Sequence, residues 1–237
     1  MPMPGRRLGA LVAVLAMTAG ATDAISFLGL GGVFSSVMTA NMVLLGLGAG
    51  QQNVQLTVHT GAALAGYIVG AVAVGRLTWP PGRQAGGWPA PLVAALIAES
   101  IMLAGVTVGW EIVGGHPRGA AQVALLAGTA AAMGSQGAAV KALQIPEISS
   151  TYMTGMLTGI LADLAAPAGP AVASRLRLIA MLIVGATASG ITYAQVPRLA
   201  PLIPVASLAC VIGIAVGART RTAGPRDDPQ GSDQRPG

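Results

Sequence analysis

Long apolar runs separated by short polar breaks dominate the chain. A helix needs about 20 mostly apolar residues to cross a bilayer. Eight runs meet or approach that length: Leu8–Leu30, Val33–Gly50, Val58–Gly75, Pro91–Trp110, Ala120–Leu143, Ile148–Leu164, Leu176–Ala194 and Leu199–Gly217. The second and sixth are short for a span and are speckled with polar residues. The pattern predicts an all-α, polytopic membrane helix bundle. Between Arg76 and Pro89 the chain carries Pro80, Pro81, Gly82, Gly86 and Gly87, a polar, turn-rich stretch. Glu111–Arg118 reads as a second loop. From Arg219 onward the sequence is polar and mixed in charge, as expected of a short disordered tail.

The runs also repeat. Sliding the chain by 115 residues lays Ser35, Met38 and Thr39 on Ser150, Met153 and Thr154, and Ile68-Val69-Gly70-Ala71 on Ile183-Val184-Gly185-Ala186. Between residues 24 and 75 this gives 12 identities in 52 positions, against roughly five by chance in so Ala/Gly-rich a chain. The expected internal repeat has two units of about three apolar segments, each followed by one further helix. The organisation reads as a first unit over 1–75, a linker over 76–90, a connecting helix and loop over 91–118, a second unit over 119–195, a final helix over 196–218 and the tail over 219–237.

Composition sharpens the class. Hydrophobic residues make up 53% of the chain and charged residues 9%, whereas a soluble domain is about a quarter charged. A soluble enzyme, a nucleic-acid-binding module and a disordered chain are excluded. The partners expected are the lipid bilayer and a small solute or coupling ion, with no nucleic acid. Gly-x-x-x-Gly pairs such as Gly46/Gly50, Gly66/Gly70 and Gly105/Gly109 permit close helix approach, within the chain or in a homo-oligomer. Arg6 and Arg7 before Leu8–Met17, with Ala19-Gly20-Ala21 beyond, resemble a signal peptide. The repeat favours a retained first helix instead.

Charge placement bears on topology. If all eight runs cross from a cytoplasmic N-terminus, nine basic residues lie inside and four outside. If the two short runs enter and return on one side, eleven lie inside and two outside. The second arrangement makes the units inverted copies, and both put the two termini in the cytoplasm of an inner (plasma) membrane. Trp79, Trp88 and Trp110 fall at run ends, as in an interfacial belt with wet indole N–H groups.

Few residues could carry chemistry. Asp23 and Glu99 are the acids well inside long apolar runs, where a carboxylate is costly and points to ion or proton binding. The bland reading of Asp23 is a cap on the break at Gly29–Gly32, and of Glu99 a buried protonated carboxyl. Thr39 and Asn41, with Thr154 at the repeat-equivalent place, bring hydroxyl and amide groups into the short runs, as Gln136 does in the fifth. Such groups can replace a hydration shell or only cap and glue helices. Lys141 and Glu147 read as interfacial charges. His59, His116 and the lone Cys210 have no partners at ligand spacing, so no metal is expected. No phosphate loop, dinucleotide fingerprint, zinc motif or nucleophile–base pair is present, so neither a cofactor nor an enzyme is expected.

Two motifs carry a resemblance. Asp23-Ala24-Ile25-Ser26-Phe27 followed by Val33-Phe34-Ser35-Ser36-Val37-Met38-Thr39-Ala40-Asn41, and Met133-Gly134-Ser135-Gln136-Gly137 followed by Thr151-Tyr152-Met153-Thr154-Gly155, resemble the signatures of the YoaK-like family. That bacterial group consists of multi-pass membrane proteins without an assigned activity. The family pattern usually has Gly where this chain has Ala40. The resemblance implies a topology. The physical reading adds a small-solute secondary transporter or permease, with a non-catalytic membrane scaffold or assembly factor as the alternative.

Overall fold

A computed structural model describes residues 5–78, 90–142, 153–164 and 170–222. Most of the linker with Trp79 and Trp88, the break with Pro146 and Glu147, and most of the tail lie outside the described residues.

Each apolar run holds one helix: α1 (Gly5–Gly29), α2 (Met38–Gly50), α3 (Val54–Leu77), α4 (Ala90–Ile112), α5 (Gly119–Ala142), α6 (Met153–Leu164), α7 (Pro170–Gln195) and α8 (Leu202–Thr222). Among the described residues, five helices are long and apolar enough to cross a bilayer: Gly9–Gly29, Val54–Leu77, Val93–Ile112, Gly119–Ala142 and Val172–Gln195. Local chemistry sets several ends. Gly31 (φ 101°) and Gly32 (φ 74°) turn the chain after α1 through backbone that side chains disfavour. A side chain at Gly31 would also run into the His59 ring. Asn53 caps α3 by accepting from the Leu56 N–H at 3.0 Å.

The first helix lies in the middle of the bundle and packs on α5, α7 and α8. Leu11 and Leu15 of α1, Leu96 and Leu103 of α4, Met133 and Val140 of α5, and Leu208 and Val211 of α8 form one buried cluster. A second cluster joins Ile25 and Leu30 to Ala63, Trp110, Leu126 and Ala200. The α1–α7 and α3–α5 pairs approach backbone to backbone. In α1–α7 a side chain at Gly20 would meet the Leu182 carbonyl oxygen, and one at Gly185 that of Met17. In α3–α5, Gly66, Gly70 and Gly134 stand in the same relation to Ala127, Ala131 and Tyr67. Gly66 and Gly70 both stand against a neighbouring backbone, whereas Gly46, Gly50, Gly105 and Gly213 face open space. Ile68, Val69, Ile101, Val108, Ile183 and Val184 point outward and exposed, as lipid-facing side chains do.

The contacts fix helix directions. Gln122 at the start of α5 donates to the Gly29 carbonyl at the end of α1, and Thr22 meets Met133 further down. These helices are therefore antiparallel. The Gly66–Ala127 and Gly70–Ala131 approaches make α3 and α5 parallel. It follows that α1 and α3 are antiparallel, although α2 intervenes. At 13 residues, α2 is about 20 Å long, short of a hydrocarbon core of about 30 Å.

Trp110 departs from the interfacial expectation. It is fully buried, edge-on to Tyr193, and its indole N–H donates to the Pro197 carbonyl at 3.0 Å. The ring has become core because α1 and α7 converge on it, and its N–H is satisfied inside the protein.

Candidate functional site

After the turn at Gly31 and Gly32, the chain does not continue outward. The irregular segment Leu30–Val37 runs back along α1 to the level of Asp23, and α2 then climbs out beside α3. Asp23 is six residues before the end of α1, about 9 Å deep along its axis. An irregular backbone at that depth needs partners for its polar groups. Asp23 supplies them. Its Oδ1 accepts from the Ser35 N–H (2.8 Å), the Ser35 hydroxyl (2.9 Å) and the Ser36 N–H (2.7 Å). Its Oδ2 accepts from the Ser36 hydroxyl at 2.5 Å. Asn41 braces the other side: Oδ1 accepts from the Phe34 N–H at 3.1 Å and Nδ2 donates to the Phe34 carbonyl at 2.6 Å. Phe27 and Phe34 stack with centroids 5.2 Å apart, tying α1 to the returning segment.

Beside this knot lies a cavity of about 450 Å³. Asp23, Phe27, Phe34, Ser36 and Thr39 line one part of it, Thr154 another, and Leu182, Ala186 and Gly190 of α7 a third. Most of the lining is apolar. The first turns of α2 and α6, carrying Thr39 and Thr154, therefore border one space. Val37 at the start of α2 gives no side-chain cap, so the uncapped, positive end of that helix dipole also borders it.

The expected site residues thus divide. Asp23, Thr39 and Thr154 share the cavity. Asn41 is buried behind the returning segment, with its amide used by Phe34. Ala40 sits in the first turn of α2, and the positive φ angles fall at Gly31 and Gly32 instead. Glu99 and Gln136 lie in the bundle core, both buried. Gln136 Nε2 donates to the Leu15 carbonyl at 3.1 Å, while its Oε1 and both Glu99 oxygens have no hydrogen-bond partner among the described residues.

Sequence reasoning passed over Ser35 and Ser36 as ligands of Asp23. The available signal was a Ser-Ser pair in an apolar run, 12 and 13 residues past a lone carboxylate and just beyond a Gly-rich turn. It also passed over the clamp at the bundle end. There His59 Nδ1 lies 2.7 Å from the Gln55 carbonyl and its Nε2 3.1 Å from Gln122 Oε1. Among the described residues, no three His, Cys, Asp or Glu side chains cluster as metal ligands would.

A bundle of bilayer-length apolar helices, with one segment folded back into its interior, defines a multi-pass membrane protein. The chain belongs to the family described as protein of unknown function (DUF1275), whose model matches residues 11–214. It is similar to the UPF0700 transmembrane protein YoaK of Bacillus subtilis (strain 168), with 35% identity over 158 residues. That match takes in 65% of this chain and 66% of the relative. No solved structure matches.

Proposed function

We propose that the protein is a small-solute permease or secondary transporter of the inner membrane, without enzymatic activity, its solute path running through the cavity beside Asp23. The observation that carries this reading is the convergence of two helix starts, with Thr39 and Thr154, on one space of about 450 Å³. Short helices whose N-termini meet inside a membrane offer hydroxyls and oriented backbone donors to a solute that has shed its water.

The reading includes an inverted duplication with six crossings, two re-entrant segments and both termini cytoplasmic. Several features support it. Displaced by 115 residues, Met38 at the start of α2 falls on Met153 at the start of α6. Tyr67 and Gly70 of the α3–α5 contact fall on Leu182 and Gly185 of the α1–α7 contact. The α4–α5 and α1–α8 interfaces form a further pair, and antiparallel α1 and α5 suit inverted units. The basic residues then divide eleven to two.

A specific observation favours the scaffold alternative. Every oxygen of Asp23 is already used by Ser35 and Ser36, as in a polar knot that is only architecture. Water access separates the two readings. In a Cys210→Ala background, Thr39→Cys and Thr154→Cys in liposomes should both react with a charged, membrane-impermeant thiol reagent. Failure of both to react from either side sinks the permease and leaves the scaffold.

A further inference from the structure

Glu99 is a different kind of carboxyl from Asp23. It is 0% exposed. Leu96 and Leu103, one turn to either side on the same helix face, belong to the apolar cluster shared by α1, α4, α5 and α8. Met133 and Val140 of that cluster flank Gln136 in the same way. The core therefore holds three oxygens that can accept and that find no donor among the described residues: Glu99 Oε1, Glu99 Oε2 and Gln136 Oε1. Among the described residues no basic side chain donates to them. On α1, α3, α5 and α8, the described titratable side chains are Asp23, engaged by its serines, Lys141 near the exposed end of α5, the exposed Cys210 of α8, and on α3 Tyr67 at the border of the cluster, the exposed Arg76 at one end and His59, held by Gln55 and Gln122, at the other. Glu111 lies at the far end of α4 itself. A bare carboxylate in such surroundings is untenable, and one added proton removes both the charge and the lack of a donor.

We infer that Glu99 is a membrane-embedded proton-binding site, held as the neutral acid in this conformation, with Gln136 Oε1 as the acceptor kept in the same core. Resting on the permease reading, its proton is also the coupling ion, and Asp23 is not. The neutral acid is in addition a modification site for a hydrophobic carbodiimide. The acid proton moves to one carbodiimide nitrogen and the carboxyl oxygen adds to the central carbon. The O-acylisourea then rearranges by acyl transfer to nitrogen, giving a stable N-acylurea with no group lost.

Infrared spectroscopy of the full chain in lipid at neutral pH is the deciding measurement. The wild type should show the C=O stretch of an un-ionised carboxylic acid. Glu99→Gln and Glu99→Leu should lose it, and Asp23→Asn should keep it. Absence of the band from the wild type, its survival in both Glu99 variants or its loss in Asp23→Asn overturns the inference. Peptide mapping after treatment with N,N′-dicyclohexylcarbodiimide should find the N-acylurea on Glu99; label on Asp23 instead overturns it. These readouts need no transport. A Glu99 band in a protein that moves no solute would leave the proton site standing and remove the permease.

Discussion

Two carboxyls lie inside the same helix bundle and have opposite surroundings. Asp23 accepts four hydrogen bonds from the irregular segment that folds back along α1. Glu99 is as deeply enclosed and accepts none from the described residues. The first has the environment of an anchor, because each of its oxygens completes a donor that would otherwise be stranded. The second has the environment of a group that fold stability alone would have replaced by leucine. Residue type and depth are similar, so the function of each follows from its partners.

Removing the anchor is the severest way to test this contrast. Asp23→Ala strands two N–H groups and two hydroxyls, and the loss should be roughly 4 kcal/mol, less than the sum of four separate bonds. Reversible unfolding in mixed detergent micelles measures it; a loss below about 1 kcal/mol would make Asp23 as dispensable as its counterpart. Asn41→Ala comes next. It leaves the Phe34 N–H and carbonyl unpaired and should cost about 2 kcal/mol in the same assay. Ser36→Ala removes the single donor to Oδ2 and should cost about 1 kcal/mol, measurably less than either. At the other carboxyl the sign reverses. Glu99→Leu should leave stability unchanged or raise it by about 1 kcal/mol, with a higher melting temperature in the same detergent. A strongly destabilised Glu99→Leu would mean that the carboxyl is braced after all, and the contrast would fail.

Much of the fold was legible in the sequence. All eight apolar runs hold a helix, and the two short runs yield the two shortest α-helices, α2 and α6. The front of the second run was not legible as non-helical: residues 33–37 are as apolar as their neighbours, yet they form the returning strand of irregular chain. Hydropathy records whether a segment tolerates lipid, and it is blind to a segment that tolerates lipid without being helical. Thr39 and Thr154, which the 115-residue offset pairs, and Asp23, singled out by its cost in lipid, all border the cavity. Asn41 spends its amide on the backbone of Phe34, a pairing that has no sequence signature. Trp110 was assigned to the interface because its position at a run end carried no sign that α1 and α7 close over it.

The amino-acid order alone settled what accumulates along a chain: how many apolar stretches there are, how long each is, and where acids and amides interrupt them. Those quantities are local, and the free energy of transfer into lipid is close to a sum over neighbours. Folding decided which interruption meets a donor and which meets none. Asp23 reaches Ser35 and Ser36 only because two glycines turn the chain back, and Glu99 is left without a donor among the described residues only because α1, α5 and α8 close over it. Hydrogen-bond satisfaction depends on direction and on distant partners, and neither is written at any single position.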